Sequence, residues 1–180
     1  AAAMTKGKIF MKGAWLDLMN AVADVLRISG VRFEQNENGL LVDATQAQLV
    51  STPITTCEYP GFPTDAQALL TSLLALAKGE CLVEERIFEN RFMHIPELQR
   101  MGANIKILTN HSILITGVNN LTGATVMSSD LRGGVGLVLA GLVAKGETLV
   151  TRIYHIDRGY YKLEDKLRSL GAEIERIKLN

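Results

Sequence analysis

The sequence predicts an α/β fold in which one pattern is repeated three times. In each copy a glycine precedes a strand and a helix, and a second glycine opens another strand. This half of each copy runs from glycine to glycine at positions 7–30, 79–102 and 146–171, so the two glycines keep nearly the same separation in each. The offset between successive copies is also nearly constant. It is too long for a solenoid repeat and fits a βαβ unit followed by a helix and a hairpin.

A first helix is expected before the first glycine of each copy. Residues 64–78 place apolar side chains at steps of three and four, which is typical of a helix with one face on a core. Residues 129–145 show the same spacing, and residues 1–6 retain only the end of such a helix.

A second helix and a hairpin complete the pattern. Each second helix is expected to end just before its glycine, a common helix stop. The predicted second helices span about 17–28, 90–101 and 158–170. The predicted hairpin strands are 32–33 with 40–42, and 105–108 with 113–116.

We divide the chain into three units of one domain, at about residues 1–50, 51–118 and 119–180. The first unit lacks the beginning of its first helix, and the third lacks the return strand of its hairpin. We therefore expect that the natural polypeptide extends upstream.

Composition argues against several function classes. The 19 basic and 19 acidic residues cancel, which argues against a nucleic-acid binder that must neutralise many phosphates. No apolar run reaches the roughly 20 residues of a membrane span. The two cysteines lack the spacing of a disulfide or metal motif, which favours a cytoplasmic setting. We predict no membrane, nucleic acid, metal or cofactor.

Three arginines are candidate anion-binding residues. Arg91 and Arg158 stand at the same distance after the first glycine of their copies, where the first copy has Met19. Both are predicted to open a helix, and Arg132 is predicted in the first turn of another. A cation there opposes the helix dipole at a cost of roughly 0.3–1 kcal/mol. The arrangement therefore favours an anion held by the arginines and the free N–H groups.

The alternative is that each arginine pairs with an acid beside it in the sequence. These acids are Glu89, Asp130 and Asp157. Such pairs at exposed helix ends contribute little to stability, and they would leave the arginines without a binding role.

Asp65 is a candidate general base. It follows Pro63 and Thr64, after a loop whose two prolines and one glycine limit the freedom of the backbone. A rigid carboxylate beside arginines suits proton abstraction. The alternative is a structural helix start, because Thr64 and Gln67 have the spacing of a capping box and an acid in a first turn is favourable.

The other polar candidates are weaker. The histidines and cysteines are dispersed and show no metal-ligand spacing. They are His94, His111, His155, Cys57 and Cys81. We interpret the cysteines as small side chains that are buried or partly buried. Gly133, Gly134 and Gly136 resemble a phosphate-binding loop but lack its lysine and spacing.

Four long motifs resemble the enolpyruvyl transferase family. They are EYPGFPTDAQ (58–67), RIFENRFMHIPELQRMGA (86–103), VMSSDLRGG (126–134) and RIYHIDRGY (152–160). The resemblance covers nearly the whole chain and implies the C-terminal lobe of a two-lobe enzyme. Such a lobe is an inside-out α/β barrel of three βαβαββ repeats, with helices inside and sheets outside, here truncated at both ends.

The resemblance also implies a reaction. Similar family members transfer the enolpyruvyl group of phosphoenolpyruvate to the sugar 3-hydroxyl of UDP-N-acetylglucosamine and release phosphate, by addition and elimination through a tetrahedral ketal. This is the first committed step of peptidoglycan synthesis, which links it to cell wall biogenesis, cell shape and cell division. The other lobe supplies part of the site, so this chain alone is expected to be inactive.

Roles carry over from the matching motifs. Asp65 would take the proton of the sugar hydroxyl, and Asp130 would support the proton transfers. Ile87, through its backbone, and Phe88 would line the nucleotide-sugar site.

The three arginines would bind the anionic groups. Arg158 would hold phosphoenolpyruvate or phosphate, while Arg91 and Arg132 would steady the charged intermediate. Cys57 and Glu58 depart from the family pattern, which questions the rigidity of the loop before Asp65. Two alternatives stay open, a non-catalytic module that binds an anion or nucleotide and the related transferase acting on shikimate 3-phosphate.

Overall fold

The computed structural model describes residues 1–178, and each of its helices and strands lies within one predicted unit. The first unit contains α1 (Ala2–Thr5), β1 (Lys8–Lys12), a 3-10 helix (Leu16–Met19), α2 (Asn20–Ile28), β2 (Arg32–Asn36) and β3 (Gly39–Asp43). Its strands form an antiparallel sheet in the order β1-β3-β2.

The second unit is the complete form of the repeat. It contains β4 (Ile54–Thr55), α3 (Thr64–Leu74), β5 (Glu80–Glu84), α4 (Ile95–Arg100), β6 (Asn104–Thr109) and β7 (Ser112–Thr116). The sheet order is β4-β5-β7-β6. β4 and β5 are parallel because α3 connects them, and the β6–β7 hairpin returns antiparallel to β5. This is the predicted βαβαββ order.

The third unit begins in the same way. It contains β8 (Thr125–Met127), α5 (Leu131–Gly141), β9 (Leu149–Thr151), α6 (Tyr154–Asp157) and α7 (Leu163–Ser169). β8 and β9 are parallel, as β4 and β5 are. Within residues 170–178 the chain forms no strand, so the prediction that Gly171 opens a strand, as Gly30 and Gly102 do, is wrong for the described residues.

The helices lie inside and the sheets outside, as predicted. Residues 133–140 of α5 are all buried, and α3 packs against them. The strands instead alternate, as in β5, where Cys81 and Val83 are buried while Glu80 and Leu82 face outward. The inner face of this sheet therefore covers the helices.

Glycines allow α3 and α5 to approach closely. A Cβ on Gly136 would lie 3.0 Å from the carbonyl oxygen of Ala68 in α3. A Cβ on Gly134 would clash with the hydroxyl of Ser128. Close helix packing therefore explains the glycine run that resembled a phosphate-binding loop.

The second helices are shorter than predicted but end where expected. α2, α4 and α7 each end just before the repeat glycine. Gly30, Gly102 and Gly171 have φ values of +82°, +90° and +95°, and this left-handed backbone terminates the helices. No helix within residues 1–178 is long and apolar enough to span a bilayer.

The prediction that Arg91 and Arg158 open helices is wrong. Arg91 lies in the loop of residues 85–94, before α4, and Arg158 is the C-cap of α6. The loop is anchored to the neighbouring hairpin, since the N–H of Asn90 donates to the carbonyl of Asn110 at 3.0 Å. That bond satisfies a donor that a helix start would otherwise leave free.

Candidate active site between two buried helices

The site centres on a carboxylate held between two guanidinium groups. Asp65 and Arg132 are the second residues of α3 and α5, and Nε of Arg132 donates to Oδ1 of Asp65 at 2.5 Å. Nη2 of Arg91 lies 3.7 Å from the same oxygen. The fold thus brings together three candidate residues from three separate sequence motifs.

The arginines favour the ionised form of Asp65. The hydrogen bond from Arg132, together with the charges of Arg132 and Arg91, lowers the pKa of the Asp65 carboxyl, although partial burial opposes this. The same hydrogen bond raises the pKa of Arg132. The Asp65 side chain is 64% exposed, so solvent screens these charges and the cluster contributes little to stability. The exposure of Asp65 leaves its carboxylate accessible to a ligand.

The arginines of this cluster do not pair with their neighbours in sequence. The adjacent acids have other partners: Glu89 faces His111, Asp157 binds Arg176, and Asp130 accepts from N–H groups of α5. The guanidinium groups of Arg91 and Arg132 both face Asp65 instead. For these two arginines the structure contradicts the alternative of local pairs.

Arg91 is held by two contacts. Its Nη1 donates to the hydroxyl of Thr64 at 2.6 Å, and its guanidinium carbon lies 4.6 Å from the centre of the Phe88 ring, within the range of cation–π attraction. Thr64 is the first residue of α3, whose N-cap is Pro63 and has no capping side chain. The predicted capping box of Thr64 and Gln67 is therefore wrong, because the threonine hydroxyl binds the arginine.

An exposed apolar loop borders the charged cluster. The side chains of Ile87 and Phe88 follow β5, and these residues are 36% and 52% exposed. Ligand sites commonly combine apolar walls with a few converging polar groups, so the loop and the cluster together form a candidate binding surface.

The loop before Asp65 is closed by its own backbone. The N–H of Cys57 donates to the carbonyl of Phe62 at 3.0 Å, so the departures at Cys57 and Glu58 leave a tight turn in place. Cys57 is exposed, contrary to the prediction, whereas Cys81 is buried. Burial raises the pKa of the Cys81 thiol.

Asp130 and Arg158 lie at the start of α5. Asp130 is the N-cap, and its Oδ1 accepts from two N–H groups of the first turn, including that of Arg132, at 2.9 Å each. This cap satisfies two donors at the helix start and orients the backbone that carries Arg132. Gly159 packs against Leu131, which brings the backbone beside Arg158 to the same helix end. The catalytic role of Asp130 and the anion-binding role of Arg158 stay predictions.

Sequence analysis did not identify Glu85, a fully buried carboxylate behind the loop. It is 0% exposed and accepts four hydrogen bonds. The donors are the N–H groups of Ile87 and Phe88 and the hydroxyls of Thr56 and Thr64. Its sequence context, Glu-Glu-Arg at 84–86, resembles a solvated strand end. The available signal was the strand period of two, because Cys81 and Val83 face inward and Glu85 is next in that series.

His94 is buried below the site. It is 1% exposed and its Cβ lies beside Gly133 in the first turn of α5. Burial lowers the pKa of His94 to about 4, although the charge of Asp130 opposes this shift. Within residues 1–178, no three His, Cys, Asp or Glu side chains are grouped so that they could hold a metal ion.

The most similar curated relatives include bacterial proteins named UDP-N-acetylglucosamine 1-carboxyvinyltransferase. The chain is 51% identical to the one from Paramagnetospirillum magneticum over 178 residues, covering 99% of this chain and 41% of that protein. It is 49% identical to the one from Xanthobacter autotrophicus, with 98% and 41% covered, and 48% identical to one from Vibrio cholerae, with 99% and 42% covered. The chain thus spans about two fifths of their length.

Solved structures and a family profile agree with these matches. The enolpyruvyl transferase NikO from Streptomyces tendae superimposes with a TM-score of 0.81 at 26% identity, covering 93% of this chain and 40% of that one. EPSP synthase from Acinetobacter baumannii shares the fold, with a TM-score of 0.72 at 21% identity over 98% of this chain and 41% of that one. The resemblance to enolpyruvyl transferases is confirmed. Because the EPSP synthase (3-phosphoshikimate 1-carboxyvinyltransferase) profile matches residues 1–167, the chain belongs to that family.

Proposed function

We propose that this chain is one lobe of a transferase that moves the enolpyruvyl group of phosphoenolpyruvate to the 3-hydroxyl of UDP-N-acetylglucosamine. The observation that carries the proposal is the Asp65 carboxylate facing Arg91 and Arg132 beside an exposed apolar loop. A base next to fixed cations suits the attack of a hydroxyl on a phosphorylated substrate. The name of the relatives about 50% identical supports this acceptor over shikimate 3-phosphate.

Asp65 would act as the general base of the addition step. Its carboxylate takes the proton of the sugar hydroxyl while that oxygen bonds to C2 of phosphoenolpyruvate, and a general acid gives a proton to C3 as the C2–C3 double bond is lost. The resulting tetrahedral ketal then loses a proton from C3 and breaks its C2–O bond to phosphate. The products are the enolpyruvyl ether and inorganic phosphate.

The three arginines would bind the charges of the substrate and the intermediate. Arg91 and Arg132 flank Asp65 and would stabilise the phosphate of the ketal, while Arg158 would hold phosphoenolpyruvate or the leaving phosphate. An anion that competes for Arg132 would weaken its hydrogen bond to Asp65. Since that bond is the largest cause of the lowered pKa of Asp65, substrate binding would make the carboxylate a stronger base.

Asp130, Ile87 and Phe88 would shape the site around these groups. Asp130 caps α5 and so fixes the helix start that carries Arg132. From this position Asp130 would support the proton transfers. Ile87, through its backbone, and Phe88 would line the nucleotide-sugar site at the exposed loop.

The rest of a longer polypeptide would complete the third sheet. In the second unit β7 lies between β5 and β6. In the third unit an open groove of about 900 Å³ separates β9 from residues 172–177, which follow α7 as β6 follows α4. This strand groove, lined by β9 and residues 172–177, would correspond to the position of β7. The relatives extend well beyond the matched segment, and we propose that their N-terminal lobe contributes the strand.

A chimera tests the proposed function. This chain would replace the matched 178 residues of the Paramagnetospirillum magneticum relative, and phosphate release from phosphoenolpyruvate would be measured with each acceptor. We expect turnover with UDP-N-acetylglucosamine, none with shikimate 3-phosphate, and none from the 180-residue chain alone.

Other results would contradict the proposal. A folded chimera that uses shikimate 3-phosphate would reassign the acceptor. A folded chimera that is inactive with both acceptors, but binds UDP-N-acetylglucosamine or a short RNA in calorimetric titration, would favour a binding module. With this acceptor, the enzyme would act in the cytoplasm, at the first committed step of peptidoglycan synthesis.

A further inference from the structure

We propose that Glu85 is a positioning residue for this reaction, which holds the nucleotide-sugar loop and the Arg91 guanidinium in one fixed arrangement. The inference rests on the proposed function for the roles of these groups. It rests on hydrogen-bond geometry for the position of Glu85 itself, and the experiment below separates the two.

One carboxylate oxygen of Glu85 fixes the loop. Oε1 accepts from the N–H of Ile87 at 2.9 Å and from the N–H of Phe88 at 3.1 Å. It also accepts from the hydroxyl of Thr56 at 2.8 Å, and that hydroxyl accepts from the N–H of Arg86. Three successive N–H groups of the loop are therefore bound directly or through one threonine to the same oxygen.

The other oxygen reaches the charged cluster. Oε2 accepts from the hydroxyl of Thr64 at 2.7 Å, and this hydroxyl accepts from Nη1 of Arg91 at 2.6 Å. The Arg91 guanidinium lies against the ring of Phe88, whose N–H returns to Glu85. The contacts form a closed ring from Glu85 through Thr64, Arg91 and Phe88 back to Glu85.

Glu85 is suited to this task by its burial. Taking a carboxylate out of water is costly unless hydrogen bonds compensate it, and here four donors do so. The same burial means that losing the carboxylate leaves several donors without a partner at once. Asp65 follows Thr64 in α3, so the ring also fixes the start of the helix that carries the proposed base.

Another buried carboxylate provides a matched control. Glu97 in α4 is 8% exposed and accepts from the N–H of Met127 in β8 at 3.0 Å. It ties a helix to a strand and pairs with Arg100, and neither this hydrogen bond nor this ion pair involves a residue of the candidate site. Glu97→Gln therefore reports the loss of a buried carboxylate without a change in the loop.

The two substitutions at Glu85 should separate the two halves of the ring. In Glu85→Gln the amide oxygen can still accept from the loop N–H groups, but its NH₂ group faces Thr64, which already accepts from Arg91. We expect a KM for UDP-N-acetylglucosamine within threefold of the unchanged chimera and a kcat at least tenfold lower. In Glu85→Ala both halves are lost, so we expect kcat to fall further and this KM to rise at least tenfold.

Kinetics of the chimera and its melting temperature test these expectations. Glu97→Gln should lower the melting temperature while leaving KM and kcat within twofold of the unchanged chimera. Folded Glu85 variants with both constants within twofold would overturn the proposal, as would Glu97→Gln showing the kinetic pattern of Glu85→Gln.

A second measurement does not depend on turnover. In NMR spectra of the 180-residue chain, the chemical shifts of the Ile87 and Phe88 amide protons should stay the same in Glu85→Gln and change in Glu85→Ala. The signals of the Arg91 side chain should change in both variants. Unchanged spectra would overturn the positioning role. An inactive unchanged chimera with these spectral changes would contradict the proposed function alone.

Discussion

The second and third units place opposite charges at equivalent positions. Asp65 and Arg132 are each the second residue of the first helix of their unit, and they bind each other. Arg91 and Arg158 are related by the same offset along the chain. The two copies therefore supply complementary halves of one charged cluster, which a repeat with identical copies could not do.

The units also differ in how the loop behind the site is held. At the same distance after the first glycine, the second unit has the buried Glu85, whereas the third has the exposed Arg152, with a φ of +54°. Only the second unit can anchor its loop on an internal carboxylate. The first unit has Gly13 and Met19 at the positions of Glu85 and Arg91, so it offers no charge there. The comparison supports a binding surface on units two and three, as proposed.

The largest expected effect on kcat follows from removing the carboxylate of the Asp65–Arg132 pair. Asp65→Ala in the chimera should lower kcat by about 10³-fold, within the range typical of a general base, which corresponds to about 4 kcal/mol of barrier. Phosphate release under saturating substrates measures it. Asp24→Ala is the control, because this exposed aspartate pairs with Arg27 in the first unit and should leave kcat unchanged. A retained kcat in Asp65→Ala would reduce Asp65 to a structural helix start.

A second difference between the units concerns His94. It is 1% exposed, whereas Tyr161, at the equivalent position of the third unit, is 73% exposed. The pKa of His94 is lowered from 6.5 to about 4, so its contribution to stability is present above pH 6.5 and is lost as the pH falls towards 4. The unfolded chain binds a proton there that the folded chain does not, which amounts to about 3 kcal/mol in total.

Denaturant unfolding of the chain and of His94→Phe between pH 4 and 8 measures this effect. The difference in unfolding free energy between the two should change across that range, because only the unchanged chain carries the buried imidazole. Ile95→Val, in the buried residue next to His94, removes no titratable group and should lower the unfolding free energy by the same amount across this range. Parallel curves for the chain and His94→Phe would contradict the assignment.

The smallest expected effect concerns the strand groove, where the third unit differs most from the second. A peptide from the N-terminus of the Paramagnetospirillum magneticum relative, about 20 residues long to include one strand and its flanks, should raise the melting temperature of this chain. At about 100 times its Kd, mass action gives roughly 2.7 kcal/mol, or about 5–10 °C for a chain of this size. A scrambled peptide that stabilises equally, or no shift with either, would argue against a strand in the groove.

The fold could be predicted because its signals are periodic. Apolar spacing located α3 and α5, and the repeat glycines marked the ends of the second helices. The helix starts were predicted less well. Arg91 lies in a loop before α4, and that loop is hydrogen-bonded to a hairpin that comes later in the sequence. Contacts of that kind depend on tertiary structure and leave no local pattern.

The charged residues of the candidate site could be predicted from the sequence, but the buried carboxylate behind them could not. Arginines in register and an aspartate after a stiff loop stand out in a sequence, and the structure brings Asp65, Arg91 and Arg132 together. Glu85 does not stand out, because its four partners come from separate segments of the chain. The burial of Glu85 is indicated in the sequence only by the alternation along β5, in which every second side chain faces inward.

The strand groove means that the order of strands in space need not follow their order along the chain. β9 and residues 172–177 line an open groove, and a strand from elsewhere in a polypeptide could fill it. A circular permutant, with that strand joined after residue 180 by a flexible linker, would encode a closed lobe as one contiguous gene segment. The lobe would then become a self-contained unit of folding whose stability can be measured without its partner lobe.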